Sequence, residues 1–274
     1  FGSGNNYNSY INNKVIRVQC GLFSQGASTS VKNTGTVFSL NQLDAAAPDN
    51  IGFRGILVGF EDNVTVSGNS ISGLVSNTSE SVLAIGLGLG TGPNFPLTYT
   101  VWEGRQVTNS VVVNNKIGTV VNNAARSAVG IAVSGCTSGT TLIANNMISG
   151  VGGTGNATYF SAGIFLGSIS PGTPAAVFNV YHNSVSMSAA LTGSPDLTAA
   201  IAIAGNDPYV SLRNNIFVVT AGNTIPVNRA MAFYSATFNN LTSDNNNLYV
   251  SGTGAALTSR GSFTGAALTS ITLA

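Results

Sequence analysis

Nine carboxylates, two cysteines and one histidine are the side chains of this 274-residue sequence best suited to act as general acid, general base, thiolate or metal ligand. The acids are Asp44, Asp49, Glu61, Asp62, Glu80, Glu103, Asp196, Asp207 and Asp244. Polysaccharide cleavage would need two of them facing each other across a glycosidic bond. Alternatively, several would have to converge on Ca²⁺ beside a basic group. Only Glu61 and Asp62 are adjacent, and neighbours in a strand point to opposite faces. They are therefore expected to form a solvated turn. His182 has no Ser or Asp constellation that would make a triad, and it is expected to act as a hydrogen-bonding substitute at a corner. Cys20 and Cys136 lie far apart with no Cys-x-x-Cys and no clustered histidine, which excludes the usual zinc spacings. Buried free thiols are the expectation, with a disulfide between distant coils as the alternative. No metal and no cofactor is expected.

One segment concentrates groups that could bind rather than react. Between Asn94 and Arg105 the sequence gathers Tyr99, Trp102 and Arg105, an aromatic and guanidinium set able to stack on a sugar ring or a partner protein. Its structural counterpart is a loop folded back on a wall with its aromatics buried.

These residues must be positioned by a repeat. Tyr-Ile-Asn-Asn-Lys-Val begins at Tyr10, and the phrase returns as Val-Ser-Gly-Asn-Ser-Ile, Val-Val-Asn-Asn-Lys-Ile, Ile-Ala-Asn-Asn-Met-Ile, Val-Tyr-His-Asn-Ser-Val, Leu-Arg-Asn-Asn-Ile-Phe and Ser-Asp-Asn-Asn-Asn-Leu. Its second amide falls at Asn13, Asn69, Asn115, Asn146, Asn183, Asn215 and Asn246. The long first gap is expected to hide a degenerate copy around Val31 to Leu40. Two positions after each amide stands an apolar residue, and three before it another, except at Ser243. That five-residue separation breaks the parity of a strand, so the chain must turn a corner at the amide pair. Asn tolerates the left-handed backbone such corners use, and amides stacked about 4.8 Å apart can form a ladder. Upstream, a small residue precedes a large one in Gly55-Ile56, Ala84-Ile85, Gly130-Ile131 and Gly163-Ile164, a pairing suited to a tight interior turn. A β-sandwich would also show short strands, but it gives no reason for Asn to recur at one offset. The expected fold is all-β: a right-handed parallel β-helix of about seven to nine coils spanning residues 1–274 as one domain.

Composition narrows the partners. Asp, Glu, Lys and Arg make up 7% of the chain, and the net charge is +1, so amides and hydroxyls must supply solubility. The basic residues are scattered, without the cationic footprint that nucleic-acid binding requires. The longest apolar run, Val82 to Leu89, is far short of the roughly 20 residues of a membrane span. Neither nucleic-acid binding nor membrane insertion is expected.

The phrases Asn-Asn-Lys-Ile, Tyr-His-Asn-Ser-Val-Ser, Leu-Arg-Asn-Asn-Ile-Phe-Val and Ser-Asp-Asn-Asn-Asn-Leu-Tyr resemble the parallel β-helix repeat regions of very large secreted surface proteins of Bacteroidetes-type bacteria. The resemblance covers most of the chain from about Ile51. It implies a segment of a larger or processed polypeptide, exported by the type IX secretion system to the cell surface. It implies partners among other surface proteins, glycans or further copies of the chain. The fold also hosts pectate lyases and polygalacturonase-like hydrolases. On the Asn register, however, no column of acids forms, so a non-enzymatic spacer, adhesin or filament-forming module is the expectation. A carbohydrate-binding or carbohydrate-degrading protein is the alternative.

Overall fold

The computed structural model describes residues 4–89, 105–124, 126–136, 138–154, 159–168, 176–188, 197–205, 208–221, 228–234, 239–252, 255–260 and 269–270. Short strands separated by amide, glycine and hydroxyl corners repeat along the chain, and among the described residues there is no helix. One repeat shows the pattern. Thr140–Ala144 leads into the corner at Asn145 and Asn146, Met147–Ser149 leaves it, and Val151–Gly153 and Phe160–Ser168 complete the circuit. Successive circuits stack strand on strand. Sheet 1, before the corner, has eight strands from Ser9–Ile11 to Leu241–Asp244; sheet 2, after it, has seven from Gln42–Leu43 to Asn247–Val250. Sheet 3 runs from Cys20–Gln25 to Ala256–Arg260, followed by the short strand Thr269–Ser270. Two three-stranded sheets fill the remaining sides. Every described pairing is parallel except that of Thr269–Ser270 with Ala256–Arg260. The fold is a parallel β-solenoid.

The corner explains the five-residue spacing. The residue before each ladder amide has positive φ: Asn12, Asn114, Asn145, His182, Asn214 and Asn245 lie between 53° and 58°, and Gly68 at 65°. One left-handed residue resets which face the next side chain takes. Consequently Val112 and Ile117, or Ile143 and Ile148, both point inward and are at most 2% exposed. The long first gap does hide a copy. Val37–Ser39 pairs with Ser9–Ile11 and Thr65–Ser67, Leu40 takes φ 56°, and Asn41 supplies the amide. Leu in place of the first Asn concealed it.

The small residues of sheet 3 lie inside strands and not at a turn, which corrects the sequence expectation. In sheet 3, Ile56, Ile85, Ile131, Ile164, Ile201 and Met231 stack in register, while the small residue before each drops out of the pairing. Sheet 2 presses on this position from across the interior. A Cβ on Gly163 would lie 2.2 Å from Val185 Cγ1 and 2.8 Å from the Ala200 carbonyl oxygen. Both faces of sheet 3 are apolar. Ile56, Ile85 and Ile131 face the inner core, whereas Leu57, Leu83, Val129 and Phe165 form a separate outer cluster. Burial on both faces accounts for its near-continuous apolar runs. Fully buried Phe38, Phe165, Phe178, Phe217 and Phe233 contribute about 1.5–3 kcal/mol each relative to exposure.

Candidate functional site

The best-defined polar feature is the ladder itself: Asn13, Asn41, Asn69, Asn115, Asn146, Asn183, Asn215 and Asn246. Each step has the same chemistry. Asn115 donates its backbone N–H and its Nδ2 to Asn146 Oδ1, both at 3.0 Å, and uses its second Nδ2 proton on the Val66 carbonyl at 3.0 Å. Asn146 repeats this toward Asn183 and Val112. Both donors and both acceptor lone pairs of each interior amide are thus satisfied, as burial demands. The labour at the corner is divided: the first amide supplies the left-handed backbone and the second supplies the ladder. His182 belongs to the first class. Its ring is exposed, and it takes the corner through φ 56° and an N–H donated to the Arg213 carbonyl at 3.0 Å.

Glu61 overturns the expectation of a solvated turn. The Glu61–Asp62 strand does send its two acids to opposite faces, but Glu61 is 0% exposed inside the solenoid. There its carboxylate accepts from Ser24 Oγ at 2.5 Å, Asn33 Nδ2 at 2.9 Å and Thr36 Oγ1 at 2.8 Å. Asp62 is the outward member, accepting from Thr108 Oγ1 at 2.6 Å and Asn109 Nδ2 at 2.9 Å. Lys32 Nζ donates to the same Thr108 oxygen at 3.0 Å. Desolvation lowers the Lys32 pKa, partly offset by the Asp62 charge.

Both cysteines are free. Cys136 is buried and lies 3.0 Å from the Val107 carbonyl, and burial pushes its thiol up to about 12. Cys20 departs from expectation by being exposed on the first strand of sheet 3. Its pKa is raised by partial burial, against the lowering effect of Arg54. Arg54 pairs with Cys20 in register and stacks 5.4 Å from the Phe53 ring. Desolvation lowers its guanidinium pKa to about 10. The carboxyl of Glu80 acts electrostatically on both.

Of the expected binding set, Tyr99 and Trp102 lie outside the described residues. Arg105 lines a shallow depression of about 400 Å³ with Cys20, Phe23, Gln25 and Leu57. Its guanidinium donates to Gln25 Oε1, and its backbone bridges two coils, N–H to the Gly88 carbonyl and carbonyl to the Phe60 N–H. Desolvation lowers its pKa. Phe23, 46% exposed, gives this depression an aromatic wall. Sequence reasoning missed Phe23 and Gln25 because they sit at least 80 residues before Arg105 and carry no recurring phrase.

Glu103, Asp196 and Asp207 lie outside the described residues. Of the rest, Asp49 pairs with Arg17 and Asp44 accepts from Ser70 Oγ at 2.6 Å. Among the described residues no three His, Cys, Asp or Glu side chains come together as a metal site would require. No family model, curated protein or solved structure matches this chain.

Proposed function

We propose that this chain is a non-enzymatic structural module of a secreted bacterial cell-surface protein, serving as a rigid spacer or adhesive rod. The observation that carries the reading is the amide ladder, which runs as one hydrogen-bonded column from Asn13 to Asn246. Such a column ties each coil to the next, and the stability of stacked repeats grows nearly additively with their number. The nearly uncharged composition suits a surface that packs closely against neighbours. Three of the described carboxylates are held by structural partners: Glu61 by interior donors, Asp62 by Thr108 and Asn109, and Asp49 by Arg17. Bacterial surface location and type IX export rest on the repeat phrases alone. The test is a polysaccharide panel incubated with the full chain and assayed for new reducing or unsaturated ends. The reading expects none, and turnover on any substrate would overturn it.

A second reading is supported by the Phe23 depression. An aromatic wall beside the Gln25 and Arg105 donors offers the stacking and hydrogen bonding that glycans use. Glycan-array binding lost on Phe23→Ala would favour a lectin-like role.

A further inference from the structure

The outward side of sheet 1 changes character partway along the solenoid. In the row just before the corner, Ser39, Ser67, Val113 and Ala144 are small or aliphatic, and Tyr181, Arg213 and Asp244 continue the same register. The row beside it runs Asn179, Ser211 and Thr242. Alternation puts these side chains on one face, since Phe178, Val180, Val210 and Leu212 between them are at most 3% exposed. Tyr209, 47% exposed, completes the patch two residues before Ser211. The fold makes little use of these groups. Tyr181 Oη donates to Asn179 Oδ1 at 3.0 Å, which ties the ring back along its own strand. Arg213 and Asp244 are exposed in register on adjacent strands, yet among the described residues they form no ion pair and no side-chain hydrogen bond. Ser211 Oγ, at the centre of the patch, is screened from solvent and has no hydrogen-bond partner among the described residues. That arrangement costs free energy, and a ligand hydroxyl would relieve it.

We propose that this patch binds a neutral polysaccharide, with one sugar ring stacked on Tyr209 and the hydroxyls of another held between Arg213 and Asp244. The proposal rests on the adhesive-rod reading and gives the rod a ligand and a place to hold it. A carboxylate only accepts hydrogen bonds and a guanidinium only donates them, so the two together match adjacent hydroxyls, which do both. Their opposite charges, in register on neighbouring strands, cancel and leave no net field to draw an anionic polymer. Tyr209 supplies an apolar ring face for the C–H side of a pyranose, with a polar tip for its rim. Tyr209 and Arg213 stand four residues apart on one strand, about 13 Å at the usual rise. A single sugar ring does not cover that distance, so the ligand is a chain of sugars. The Phe23 depression lies on sheet 3, so the two candidate surfaces are separable by mutation.

The experiment uses the full chain with soluble neutral glucan, mannan and xylan, and alginate as an anionic comparator, in affinity gel electrophoresis followed by calorimetric titration. At least one neutral polymer is expected to retard the chain. Tyr209→Ala and Arg213→Ala should each weaken that binding about tenfold, whereas Tyr209→Phe, which keeps the ring, should bind like the parent chain. Both side chains are exposed, so urea unfolding of the variants is expected to show the parent midpoint. Three results would overturn the proposal: no retardation by any of the neutral polymers, binding that survives both alanine substitutions, or a preference for alginate that fades as salt is raised. None of the three bears on the assay for new reducing or unsaturated ends, so the non-enzymatic reading stands or falls separately.

Discussion

Replacing Asn146 by Ala removes four hydrogen bonds at the centre of the ladder. Asn146 Oδ1 accepts from the Asn115 N–H and Nδ2 at 3.0 Å each, and its own Nδ2 donates to Asn183 Oδ1 and the Val112 carbonyl at 2.9 Å each. Alanine leaves the Asn115 N–H and one of its Nδ2 protons buried without an acceptor, and an unsatisfied buried donor costs about 1–3 kcal/mol. The expected loss is about 2–6 kcal/mol for the two donors together. Asn13→Ala is the matched control: Asn13 is exposed and its side chain donates one bond, to Asn41 Oδ1 at 2.9 Å, worth about 1 kcal/mol. Asn146→Asp should be no milder than Asn146→Ala, because it turns an acceptor toward Asn183 Oδ1 and the Val112 carbonyl. Urea unfolding followed by circular dichroism measures all three. The reasoning fails if Asn146→Ala is no more destabilising than Asn13→Ala.

The remaining predictions concern neighbouring features. Glu61→Gln replaces one carboxylate oxygen by an amide N–H₂, facing either Thr36 Oγ1 at the Oε2 position or Ser24 Oγ and Asn33 Nδ2 at the Oε1 position, removes the charge from the remaining bonds, and should lower unfolding stability by about 1–3 kcal/mol. A solvated Glu61 would show no effect. Leu40→Asn, at φ 56° with the side chain 58% exposed, should raise stability by about 1 kcal/mol by relieving left-handed strain, seen as a higher urea midpoint. Gly163→Ala should destabilise by about 1–3 kcal/mol through overpacking against Val185, and a neutral result would show that sheets 2 and 3 are less closely apposed. Cys136 gives a pH signature. Its folded pKa of about 12 exceeds the ordinary 9.0, so the folded state favours the neutral thiol. That contribution is complete below pH 9 and is lost as pH rises toward 12, by about 1.4 kcal/mol per unit. Cys136→Ala should fall less steeply than the parent chain between about pH 9 and pH 11 in urea titrations, and parallel slopes would refute the burial argument.

The repeating circuit was legible because its rule is local and strict. A buried amide at a corner has few substitutes, so Asn recurs at seven positions where the sequence can be read directly. Asn41 escaped because Leu40 holds the left-handed position at an energetic cost, without the Asn or Gly that would advertise it. The role of Glu61 was hidden for another reason. Alternation told that Glu61 and Asp62 face opposite ways, but which of them points inward depends on the registers with Asn33 and Val107, set by coils far away in sequence. The paired small and large residues of sheet 3 were visible, yet their cause was not: the constraint on Gly163 comes from Val185 across the interior. Arg105 was singled out for its company in sequence. In space its described companions are Phe23 and Gln25, brought there by coil stacking.

The measurement that bears most directly on the proposed role is immunogold electron microscopy of the native cells, using antibody raised against the full chain. The account predicts label on the outer surface, along thin extensions or a surface layer. Label confined to the cell interior would contradict it.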